Sequence, residues 1–198
     1  MKTKNINPTL FSSIIFILLI INTFIFRFIS IEPLNVSSMI LYISLKTFFS
    51  FSIEIFLIAL CSFVLGKKYG TLFTLIFLIL KTAIFLIFFY SPVFYISYLG
   101  IIFIAFFCGF NNIFYNLAGI IIYFFLMTIE RLLLIIISNV LLNFKDFEKF
   151  QNYLYLIPLS NPVESTLAII SYLIHLIMPI ICIFLAYFIV KKLKINYR

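Results

Sequence analysis

The sequence predicts an all-α fold: a polytopic membrane bundle of six transmembrane helices, forming one integral membrane domain over residues 1–198. Three observations predict it. Of the residues, 65% are hydrophobic and only 10% charged, a balance that excludes soluble and disordered classes. Several apolar runs reach the ~20 residues that a helix needs to cross ~30 Å of hydrocarbon. The charged residues stand mostly at the ends of those runs, so the net charge of +8 reads as membrane orientation. A nucleic-acid binder would instead carry positive charge as a stripe along one face, and no nucleic-acid partner is expected.

The first helix, residues 10–29, follows Lys2 and Lys4 and runs uncharged to Phe26. Its start is like a signal peptide's basic and apolar regions, but Arg27, Phe28 and Ile29 stand where small cleavage-site residues belong. It is expected to remain uncleaved, with the N-terminus inside. Ile31-Glu32-Pro33-Leu34-Asn35 makes an outside turn, because a residue before proline is pushed out of the helical region. Helices two and three, residues 39–65 and 71–89, form a hairpin across the basic turn Gly66-Lys67-Lys68-Tyr69-Gly70. Ser91-Pro92-Val93-Phe94 is an uncharged outside loop. Helix four, residues 95–110, ends inside at Asn111-Asn112, and helix five, residues 116–141, carries Glu130 and Arg131. The polar segment from Asn143 to Ser165 leads to helix six, residues 166–190, with a kink expected at Pro179.

Six crossings that start inside also end inside. This places Lys2, Lys4, Lys67, Lys68, Lys191, Lys192, Lys194 and Arg198 on one face with no acidic residue, the pattern expected of a multi-pass protein of the cytoplasmic membrane with both termini in the cytoplasm.

The hairpin also organises the charges inside the spans. Glu54 lies twelve residues before Gly66, and Lys81 lies eleven after Gly70. Both therefore sit ~17 Å from the turn, at one depth. A lone charge there costs at least ~2.5 kcal/mol, so the two are expected to pair. Such a pair either clamps helices two and three or lines a polar solute site. Thr47, Ser50 and Cys61 share the Glu54 face of helix two. Lys46, near the outer end of helix two, and Arg27, near that of helix one, either snorkel to headgroups or draw a small anionic or carboxylate-bearing solute inward. His175 shares a stripe with Ala168, Ser171, Cys182 and Ala186, small residues that permit close packing, and serves either there or in solute contact. The candidate substrate-binding set is Lys46, Glu54, Lys81, Arg27 and His175.

No catalytic, metal or cofactor site is expected. The only aspartate, Asp146, lies in a loop and His175 is the only histidine, so the dyads of intramembrane proteases cannot be assembled. Cys61, Cys108 and Cys182 lie inside apolar segments without metal-ligand spacing and read as small core residues. No GxxxxGK[ST] loop is present, so energy from ATP would have to come through another chain.

Leu65-Gly66-Lys67-Lys68-Tyr69-Gly70-Thr71-Leu72, a basic glycine turn between two helices, is followed by Ser91-Pro92-Val93-Phe94 and then Tyr98-Leu99-Gly100. These segments, about 40 of 198 residues, resemble the biotin-specific type among the substrate-binding (S) subunits of energy-coupling-factor vitamin transporters. The resemblance implies a solute-binding subunit for a small, vitamin-like molecule, energised by separate ATPase and membrane coupling subunits. The chain departs from that family where Phe, Tyr and Ile replace most of a glycine-rich loop, and where the last helix lacks an acidic and lysine pair. Two alternatives remain. One is a noncatalytic scaffold similar to the membrane proteins of cell-wall and shape-determining machinery. The other is a short ABC-exporter permease, suggested by Tyr155-Leu156-Ile157-Pro158-Leu159-Ser160-Asn161-Pro162 before the final helix.

Overall fold

The computed structural model describes residues 7–28, 36–89, 97–141 and 162–192, with residues 26–28, 36–49, 85, 88–89, 97, 131–141 and 162–176 described as backbone only. Among the described residues the chain forms helices and no strand: α1 (Pro8–Phe28), α2 (Val36–Phe89), α3 (Ser97–Cys108), α4 (Ile113–Leu141) and α5 (Pro162–Lys192). Three stretches, Pro8–Ile25, Ser50–Ile84 and Ile113–Glu130, are long and apolar enough to cross a membrane. The expected turns and loops at 29–35, 90–96 and most of 143–165 lie outside the described residues.

α1 starts at Pro8, whose fixed φ suits the first helical position, and Asn7 Oδ1 caps it by accepting from the Thr9 amide at 3.0 Å. Its inner face is Ile15, Leu19, Asn22 and Thr23, spaced at helical period, while Ile14, Ile17, Leu18 and Ile21 point outward. An apolar outer face has no counterpart in a soluble bundle. In a bilayer it meets acyl chains.

α2 is folded back on itself. Gly66 alone leaves the helix, at φ 77° and ψ 174°, in a region that only glycine enters at little cost. Along a straight helix Glu54 and Lys81 would stand ~40 Å apart; they are in hydrogen-bond contact, 27 residues apart in sequence. The expected five-residue turn is therefore shorter than drawn. Lys67 to Gly70 are already helical, and the Lys67 carbonyl accepts from the Thr71 hydroxyl at 2.5 Å. One turn beyond the break, a Cβ on Gly70 would lie 2.7 Å from the Ser62 Cα, so the arms meet where one has no side chain.

The two arms play unequal parts. The first, residues 36–65, is buried on nearly every side where its side chains are described, including Ile55, Ile58, Ala59, Cys61 and Phe63. It is the central helix of the bundle. The second, residues 67–89, buries one stripe through Thr74, Phe77, Leu78 and Lys81 and exposes Leu72, Leu75, Ile76 and Ile79.

α3 and α4 pair through glycines as well. A Cβ on Gly100 would lie 2.8 Å from the Tyr123 ring, and one on Gly119 would lie 3.0 Å from Phe107 Cβ. Between them the chain turns at Asn111, whose φ of 53° is tolerated by asparagine, and Asn112 Oδ1 caps α4 by accepting from the Phe114 amide. Because the cap is Asn112, α4 begins at Ile113 and not at 116. Likewise α5 begins at Pro162, four residues before the expected start, since proline suits a first helical turn. The described part of α3 holds 12 residues, ~18 Å of helix, and residues 95 and 96 of the expected span lie outside the described residues.

Several features converge on one end of the bundle. A Cβ on Gly109 would lie 2.3 Å from the Lys67 backbone, which puts the α3–α4 turn against the Gly66 break. Phe63 meets Tyr187 at 5.7 Å, so the end of α5 arrives there too. Phe16 packs on Phe73 and Phe77 while Asn22 reaches Ser50, which runs α1 away from that same end.

Candidate functional site

Glu54 faces the second arm because the reversal at Gly66 sets residues twelve before it against residues about fifteen after it. Lys81 Nζ donates to Glu54 Oε2 at 2.5 Å. The carboxylate residue is 1% exposed and the lysine 7% exposed, inside the apolar stretch Ser50–Ile84. Each ion satisfies much of the other's need for a partner in a medium that offers no water.

The pair is not closed. Glu54 Oε1 is buried and accepts no hydrogen bond from the described residues. On the other side Tyr98, in the first turn of α3, is 7% exposed. Its ring centroid lies 5.0 Å from the Lys81 ammonium. Phe77 lies 6.0 Å from the same ammonium, a second ring whose face attracts the cation. The half-buried Glu130 of α4 stands within electrostatic reach of Tyr98.

A polar layer surrounds this centre. Asn22 of α1 donates through Nδ2 to the Ser50 carbonyl at 3.0 Å, one turn from Glu54, and its own Oδ1 accepts no bond from the described residues. Phe51, beside Ser50, meets the buried Tyr123 of α4 at 6.0 Å. Four helices thus contribute polar groups at about one depth.

Of the expected site residues, the structure brings Glu54 and Lys81 together. Arg27 lies on α1, Lys46 on α2 eight residues before Glu54, and His175 on α5, but their side chains lie outside the described residues, as does that of Arg131. Cys182 and Ala186, from the expected small-residue stripe, are buried in the core, and Cys61 and Cys108 are buried free thiols. Among the described residues no three metal-ligating groups come together. Tyr98 and Asn22 were not singled out from sequence. A single amide in the apolar run of α1 was the legible signal for Asn22, since polar groups within spans need partners. Tyr98 is one of twelve tyrosines and entered only through Tyr98-Leu99-Gly100, not as a site residue.

Comparison with known protein families, with curated proteins and with solved structures finds no match to this chain.

Proposed function

We propose that this chain is a membrane-embedded solute-binding and transport subunit whose site is the Glu54–Lys81–Tyr98 centre. One observation carries the proposal: a buried carboxylate with Oε2 bonded to Lys81 and Oε1 accepting nothing from the described residues. Such an oxygen is poised for an N–H or O–H donor. The position agrees, because the pair lies inside the apolar stretch Ser50–Ile84, and an ionisable group within such a span is by default a functional-site candidate. Lys81 is already engaged by Glu54. A solute therefore meets Glu54 Oε1 through a donor group, while any carboxylate it bears is left to Lys46 and Arg27.

The remaining parts of the proposal follow the sequence: six crossings in the cytoplasmic membrane, both termini in the cytoplasm, and release driven by partner ATPase and coupling subunits. The four exposed lysines at the Gly66 end support that orientation. A reporter fused after Arg198 reads cytoplasmic under this topology, and one at Gln151 reads external. A scaffold, the competing proposal, draws on the same ion pair as a helix clamp.

The test is ligand-dependent thermal stabilisation of the purified chain against a panel of small vitamin-like acids, amides and amines. A stabilising solute is expected, with the stabilisation lost in Glu54→Gln combined with Lys81→Met. A double variant that keeps the full ligand response refutes the assignment, and a panel without any response favours the scaffold.

A further inference from the structure

Two lysine pairs from distant parts of the chain reach one end of the bundle. Lys67 and Lys68 open the second arm of α2, Lys191 and Lys192 close α5, and all four are exposed. Phe63, one turn before Lys67, lies 5.7 Å from Tyr187, one turn before Lys191, so the pairs sit at one level.

No described carboxylate offsets them. Glu54 is twelve residues from Gly66, ~18 Å along the helix. Glu130 is seventeen residues into α4, which starts at this end, so it is ~25 Å away.

Aromatic rings mark the level of these lysines. Lys67 Nζ lies 4.6 Å over the Phe110 ring and Lys191 Nζ 5.7 Å over the Tyr187 ring. Tyr69 and Tyr115 are exposed nearby, as tyrosines are where apolar helix ends meet headgroups. The lysines are also held in place. The Lys67 backbone is packed against Gly109, where no Cβ fits, so this anchor is part of the packed core.

Four exposed ammonium groups without a neighbouring carboxylate among the described residues thus gather at one level on two adjoining elements. We propose that this end of the bundle binds the phosphate headgroup of an anionic phospholipid, seated between the Gly66 turn and the end of α5. The basic surface attracts negative lipid, and each lysine adds to that attraction. This holds whether or not the central site binds a solute.

Titration of the full-length chain in nonionic detergent with phosphatidylglycerol or phosphatidylcholine, with bound lipid counted by native mass spectrometry, tests it. Phosphatidylglycerol is expected to bind preferentially. Lys67→Gln with Lys68→Gln, or Lys191→Gln with Lys192→Gln, lowers its affinity about fivefold per lysine removed, with phosphatidylcholine unaffected and affinity kept in the corresponding arginine variants. Should a double variant fail to fold, Lys68→Gln alone shows the fivefold loss. Equal binding of the two lipids, unchanged affinity in the glutamine variants, or displacement by millimolar inorganic phosphate overturns the proposal.

Discussion

The half of the bundle at Gly66 and the half around Glu54 are held by different physics. Near the turn, backbones approach where glycine removes a side chain, at Gly70 on Ser62 and at Gly109 on Lys67. Around Glu54, elements are joined by polar contacts, Lys81 to Glu54 and Asn22 to Ser50. Lipid tails are as apolar as leucine, so hydrophobic burial does not drive helices together in a membrane, and association rests on close packing or on polar bonds. This chain uses both and separates them by depth. The glycine half is a frame, since an atom added at Gly70 or Gly109 collides. The polar half retains an acceptor, Glu54 Oε1, without a donor among the described residues, and the proposed solute site is placed there.

Breaking the polar half is expected to have the largest effect. Lys81→Met leaves Glu54 as an unpaired buried carboxylate, and removing one partner of a buried pair costs about 3–5 kcal/mol. The thermal midpoint, followed with a thiol-reactive dye that reports exposure of the buried Cys61, Cys108 and Cys182, should fall sharply. A midpoint near that of the unmodified chain would mean that Glu54 finds another partner.

In the frame, Gly109→Ala places a methyl 2.3 Å from the Lys67 backbone, which neither side relieves by a rotamer change. Overpacking of this kind costs about 1–3 kcal/mol. Gly66→Ala separates strain from crowding: nothing lies within 4 Å of the new Cβ, but φ is +77°. Its loss should be about 1–3 kcal/mol, the cost of holding alanine at a positive φ with extended ψ. The same dye measurement ranks the two, and a larger effect at Gly66 would show that turn conformation governs the frame more than packing does.

The smallest change is expected at Asn22→Val. It removes a bond to a backbone carbonyl, worth about 0.6 kcal/mol in membrane proteins. A loss several times larger would make Asn22 part of the central charge network.

What sequence disclosed follows the same division. Glu54 and Lys81 were legible as partners because a tight glycine turn converts equal sequence distance into equal depth. Gly66 was legible as the reversal, but its extent was not, since Lys67 to Gly70 become helical once one residue supplies the positive φ. Helix starts moved by a few residues where local chemistry decides them, at Asn7, Asn112 and Pro162. The role of Gly109 was hidden because it depends on a segment more than forty residues away. Tyr98 was hidden as a site residue for the same reason, until α3 brings it to the ammonium.

The measurement closest to the central claim is a double-mutant cycle on Glu54→Gln and Lys81→Met, read as unfolding free energy in mixed micelles. If these two ions are one coupled centre, each single change is severe and the double change recovers much of the loss, giving a coupling of about 2 kcal/mol or more. Additive losses would contradict it, because two ions that do not interact cannot form the centre on which the solute site is built.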